Sequence, residues 1–113
     1  MDKRRHQRMA VNNLMVDISD GIGFFAGTVG DLSRFGLMVD NIPKKLDEKA
    51  PHLSLVITGN GKHFKMKARP RWSSRQSISK KVGIEILNVP WGWTEFVMDL
   101  EPKNDDIWGT INL

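Results

Sequence analysis

Two short runs of this sequence carry residue types that could do chemistry together. The first is Arg4-Arg5-His6-Gln7-Arg8, with arginines four positions apart. The second is Asp31-Leu32-Ser33-Arg34-Phe35-Gly36, with an acid, a hydroxyl and a glycine in one turn. Two guanidiniums can clamp a phosphate, or reach the O6 and N7 acceptors of guanine with a bidentate fork. A carboxylate accepts from the opposite guanine edge, where N1–H and N2–H₂ are donors. A hydroxyl and the backbone N–H groups of a turn suit phosphate or sugar oxygens. A glycine lets a ligand come close to the backbone. Taken alone, the second run is a well-made turn. There Asp31 or Ser33 bonds its own backbone and Gly36 takes positive φ.

The elements that position these residues are strands. Leu14, Val16 and Ile18 alternate with Met15 and Asp17, a strand period. Asp20-Gly21 is a hairpin signal, and Phe24 to Val29 is the second strand. The motif turn follows, and Leu37 to Val39 leave it as a third. Pro43 closes that strand, and Lys44 to Ala50 is a charged loop or a single helical turn. His52 to Thr58 alternates again, and Asn60-Gly61 turns it back into Phe64–Arg69. Pro70 marks that strand as an edge near its end or as a bulge. Ser73 to Lys81 reads as a polar connection, and Val82, Ile84 and Ile86 form the last strand. After Pro90, Trp93, Phe96, Val97 and Leu100 follow helical spacing. Six strands and one terminal helix point to a small antiparallel barrel or sandwich.

Composition bounds the partners. The 113 residues make one domain, with net charge +4 and no cysteine. The basic excess leans toward an anionic partner. No carboxylate falls between Glu48 and Glu85, where Lys62, Lys65, Lys67, Arg69, Arg71, Arg75, Lys80 and Lys81 lie. The Lys65/Lys67/Arg69/Arg71 row reads as a solvated edge-strand face. No apolar run approaches membrane-spanning length, and the expected location is the cytoplasm. Enzyme signatures are missing. His6, His52 and His63 lack metal-ligand spacing, and no nucleophile elbow, phosphate loop or dinucleotide fingerprint occurs. Asp31 and Ser33 have no base placed to activate the serine. No catalytic residue, metal or cofactor is assigned.

The two runs resemble the paired signature of the PilZ domain, a bacterial receptor for cyclic di-GMP. That signature is Arg-x-x-x-Arg followed by Asp/Asn-x-Ser-x-x-Gly, and here it is complete at Arg4, Arg8, Asp31, Ser33 and Gly36. The Asn-Gly hairpin, the strand ending in Trp72, Val82-Gly83-Ile84-Glu85-Ile86 and the closing helix also agree. The resemblance covers about residues 3–100. It implies a six-stranded antiparallel β-barrel of the split-barrel-like kind with a short C-terminal α-helix. Its parts are a basic switch segment over 1–10, a barrel over 11–89, a helix over 91–101 and an acidic tail over 102–113.

The resemblance also implies roles. Arg4 and Arg8 wrap onto the barrel and hold phosphate and the guanine Hoogsteen edge. Asp31 holds the donor edge, and Ser33 and Gly36 set the turn against the ligand. The tail orders on binding and signals to a partner protein or a second copy. Lys3 and Arg5 flank the motif, and Lys3 leans toward two bound nucleotides. Arg34 points at the ligand or at solvent. Trp72 resembles a tryptophan that stacks on a guanine. Two other readings stand beside this one. One is a PilZ-like structural adaptor of the type IV pilus kind, without nucleotide. The other is a basic barrel for RNA or single-stranded DNA, which predicts aromatics interleaved with the basic residues. Most aromatics here fall on apolar faces instead.

Overall fold

Alternation decides the fold. Side chains of a strand point to opposite faces in turn, so a period of two buries one face and wets the other. A computed structural model describes residues 8–101. In it the strands are β1 (Met9–Ala10), β2 (Met15–Ser19), β3 (Phe24–Leu32), β4 (Gly36–Ile42), β5 (Leu53–Gly59), β6 (Lys62–Arg75) and β7 (Lys80–Ile86). One helix, α1 (Trp93–Leu100), follows them. The sheet order is β1-β3-β2-β5-β6-β7-β4, and pairing of β3 with β4 closes it. The result is a six-stranded antiparallel barrel carrying β1 as a short addition.

The inward set is the apolar half of each alternation. It includes Val16 and Ile18 of β2, Leu53, Leu55 and Ile57 of β5, and Val82, Ile84 and Ile86 of β7. Helix α1 adds Trp93, Phe96 and Val97. Phe64 meets Trp93 edge-on at 5.1 Å between ring centroids and Phe96 at 5.2 Å, so the helix is stapled to β6 by aromatic contacts. Leu100, expected on the buried face, is 37% exposed instead. The turn Asn60-Gly61 has φ of 53° and 73°, the two left-handed positions of a tight hairpin. At the other hairpin, Asp20 Oδ1 accepts from the backbone N–H of Ile22 and of Gly23, both at 2.9 Å.

Three details differ from the sequence expectation. Pairing starts at Met9, whose side chain joins the core, so the sheet begins within the basic segment. The polar connection after β6 shrinks to residues 76–79, because Ser73, Ser74 and Arg75 keep pairing with Val82, Lys81 and Lys80. A register shift between Pro70 and Trp72 absorbs the proline, which cannot donate to a ladder. Strand β6 is not an edge: it pairs with β5 on one side and β7 on the other. The Lys65/Lys67/Arg69/Arg71 row is therefore an outward face of an interior strand. Segment 43–50 takes the loop alternative, a run of turns with Leu46 N–H donating to Pro43 O at 3.2 Å. It is anchored by Lys80, which is wholly buried. Lys80 Nζ donates to the carbonyls of Lys44 and Leu46 and to the Glu48 carboxylate. No helix among the described residues is long and apolar enough to cross a membrane.

Candidate functional site

The turn between β3 and β4 is closed by its own ends. Ser33 N–H donates to Gly36 O at 2.8 Å, and the Ser33 hydroxyl lies 3.4 Å from the same oxygen, buried inside the turn. Outside it, Phe35 O accepts from Ile86 N–H at 2.9 Å. Gly36 is glycine for a different reason from the one expected. It does not take positive φ. A Cβ there would lie 3.0 Å from Ile84 O and 3.8 Å from both Ser33 Oγ and Arg8 Nη1. Close approach of the β7 backbone at Ile84 O is what crowds a side chain there.

Arg8 arrives at this turn because β1 pairs with β3. Met9 lies opposite Leu32 and Ala10 opposite Asp31, so the residue before β1 falls beside the turn. A register shift between Val29 and Asp31 places Gly30 in a bulge, and Gly30 O accepts from Val11 N–H at 3.1 Å. Arg8 Nη2 donates to Asp31 Oδ1 at 2.7 Å, and each side chain is 28% exposed. The second arginine of the first motif and the acid of the second thus form one charged cluster. Lys3, Arg4 and Arg5 lie outside the described residues, as does the acidic tail over 102–113.

From Asp31 a cross-strand row runs over the outer face. Asp31 pairs with Met38, Met38 with Gly83, and Gly83 with Trp72. Three steps at ~4.8 Å per strand separate Asp31 from Trp72 by about 14 Å along the row. Neighbours Leu32, Leu37, Val39, Val82 and Ile84 point inward and are buried, so this row points outward. The Trp72 indole covers Gly83, since a Cβ on Gly83 would meet Nε1 at 2.0 Å and Cε2 at 2.2 Å. Half of Trp72 is still exposed. Met38 covers Gly30 in the same way, with Cε 2.4 Å from the position of a Cβ there. Sequence reasoning missed Met38, Gly83 and Gly30. The available signal was the pair of glycines at outward positions of apolar strands, where a side chain would otherwise be cheap to place.

Arg34 does not face this row. Its Nε and Nη2 donate to Glu101 Oε2 and Oε1 at 3.0 and 2.9 Å, a fork on a carboxylate. That bond holds the Arg34 guanidinium above its usual value. Beside the row, Glu85 lies 3.3 Å from both Arg69 Nε and Arg71 Nη1, which tempers the basic character of that flank. Among the described residues no group of three or more His, Asp or Glu side chains could hold a metal ion. The parts of the site are a carboxylate and guanidinium at one end, an aromatic face at the other and a low floor between them.

A closed barrel of this order, with an Arg–Asp cluster at the β3–β4 turn, is the architecture of a PilZ domain, and that family matches residues 2–90. The chain belongs to the PilZ domain family. Solved structures agree on the fold. The inhibitor of motility MotI/DgrA of Bacillus subtilis superposes with a TM-score of 0.72 at 17% identity, over 99% of this chain and 53% of that one. The PilZ domain of YcgR from Escherichia coli, with c-di-GMP, gives 0.65 at 14% identity over 88% of each chain. PlzA of Borreliella burgdorferi, in complex with c-di-GMP, gives 0.64 at 15% identity over 96% of this chain and 54% of that one. The chain thus spans about half the length of MotI and of PlzA. A comparison with curated protein sequences finds no match.

Proposed function

We propose that this protein is a non-catalytic receptor for cyclic di-GMP. The nucleotide lies on the outer row between Asp31 and Trp72, and the segment bearing Arg4 and Arg8 closes over it. The observation that carries the reading is the 2.7 Å bond between Arg8 and Asp31, two motif residues 23 positions apart. It supports a guanidinium and a carboxylate acting on one guanine, one for each hydrogen-bonding edge. Two of the similar structures, the PilZ domain of YcgR and PlzA, were solved with c-di-GMP, which supports carrying the ligand over.

Arg8 and Asp31 satisfy each other's charge across their 2.7 Å bond. Binding exchanges that pair for bonds to the ligand: Arg8 turns to O6, N7 or a phosphate oxygen, and Asp31 accepts from N1–H and N2–H₂. Each charge-assisted bond to the ligand contributes about 1.5–3 kcal/mol, and these bonds replace the one between Arg8 and Asp31. Ser33 and Gly36 keep the turn rigid and low, and Trp72 offers its exposed face for stacking, worth ~1–3 kcal/mol. Arg4 adds a second guanidinium, and Lys3 and Arg5 add charge near the phosphates. A protein partner or second copy then reads the closed surface in the cytoplasm.

Isothermal calorimetry with cyclic di-GMP tests the reading. Saturable heat at micromolar ligand, with one or two nucleotides per chain, supports it. A folded protein giving no heat would favour an adaptor without nucleotide.

A further inference from the structure

Helix α1 and its C-cap residue reach the motif turn at Arg34. Trp93 Nε1 donates to the Arg34 carbonyl at 3.2 Å. Glu101, the residue that caps α1, takes both the Nε and Nη2 protons of the Arg34 guanidinium. Neither anchor is loose. Trp93 is fully buried and held between Phe64 and Phe96, whose ring centroids lie 5.1 and 5.7 Å away. Glu101 is set by the helix itself, since its N–H donates to Val97 O at 3.1 Å and Met98 O at 3.2 Å. With Ser33 bonded to Gly36 and Phe35 O bonded to Ile86, the backbone of the turn is fixed at three successive residues. The Arg34 fork has a second effect. Arg34 stands three positions from Asp31, and a guanidinium left loose there would compete for that carboxylate. Glu101 engages it with both oxygens and turns it toward the helix.

We infer that Glu101 and Trp93 are positioning residues of the nucleotide site. They act through Arg34, and through the same contacts the state of the turn reaches the last turn of α1. This rests on the receptor reading above, and it assigns work to residues outside both motifs. A turn that presents Asp31 to a base must be held to within a fraction of an ångström, and held by groups that are themselves fixed. Coupling of this kind is reciprocal, so a ligand that stiffens the turn also stiffens the end of the helix.

The test combines calorimetry with cyclic di-GMP, thermal melting and amide hydrogen exchange on the whole protein. Glu101→Ala and Arg34→Ala should each weaken binding about fivefold or more, the lower end of usual coupling. The double variant should be no weaker than the worse single, because both remove one link. Trp93→Phe, which keeps most of the ring but loses the N–H, should weaken binding in the same direction. Nucleotide should slow exchange of the Glu101 amide in the wild type and leave it unchanged in Arg34→Ala. A support role confined to stability would lower melting points and leave affinity and ligand-dependent exchange as in the wild type, and that result overturns the inference. Should Glu101→Ala fail to fold, Glu101→Gln gives the same readout with one acceptor kept. A wild type that binds while every variant binds equally well overturns this inference alone. A wild type that does not bind overturns the receptor reading and this inference with it.

Discussion

The Trp72 indole occupies the space above Gly83, 2.0 Å from where a Cβ of residue 83 would stand. The ring is thereby held against the barrel with about half of its surface exposed. Gly83→Ala should lift the ring and weaken cyclic di-GMP binding about as much as Trp72→Ala, by ~1–3 kcal/mol, while Trp72→Phe keeps most of the affinity. Calorimetry measures the affinities, and the tryptophan emission of Gly83→Ala against Trp72→Phe reports the displaced ring.

Arg8→Ala should weaken the nucleotide by roughly tenfold or more, the equivalent of one charge-assisted bond of ~1.5–3 kcal/mol. The barrel should melt nearly where the wild type does, because Arg8 contributes no side chain to the apolar core. Calorimetry paired with a melting curve separates the two quantities. A large drop in melting temperature would contradict the assignment of Arg8 to the ligand.

Gly36→Ala should destabilise the protein by ~1–3 kcal/mol, the usual cost of forcing an atom into a packed place. The obstructing atom is Ile84 O, which is held in the β4–β7 ladder and has little room to move. Denaturant unfolding checks the magnitude.

Lys80 and Glu48 give a pH prediction. The hydrogen bond from Lys80 holds the Glu48 carboxyl below its ordinary value, with Arg75 adding to the effect. A lowered folded-state pKa means that the stabilisation is present above the ordinary carboxylate range and is lost as pH falls through the folded value. Asp20, lowered by the amides of Gly23, Asp47 and Ile22, adds to the same window. Melting temperature should fall on acidification, and Glu48→Gln should flatten that fall. Lys80→Ala, which strands two carbonyls and a carboxylate, should cost about 3–5 kcal/mol at neutral pH.

Much of this architecture was legible in the chain. Strands β2, β5 and β7 announce themselves by alternation, and both tight hairpins by Asp20-Gly21 and Asn60-Gly61. Of the motif residues, Arg8 and Asp31 were legible as charges that could meet, and the structure brings them together. What stayed hidden depended on register. Met9 looks like part of a charged segment until β1 is seen to pair with β3. Gly36 looks like a positive-φ residue until β7 is seen to press on it. Lys80 defaults to solvent on composition, and only the fold of segment 43–50 shows its buried partners. The Arg34–Glu101 bond spans 67 positions, and no local pattern can forecast where the end of a helix lands.

The central claim is that Asp31 and Arg8 are two halves of one guanine-nucleotide site. The most direct measurement is calorimetric titration of cyclic di-GMP into the wild type and into Asp31→Ala, both confirmed as folded. The account predicts saturable binding at micromolar ligand or tighter in the wild type, weakened at least tenfold in the variant, as expected for loss of one charge-assisted contact. Equal binding by the two proteins, or none by the folded wild type, would contradict it.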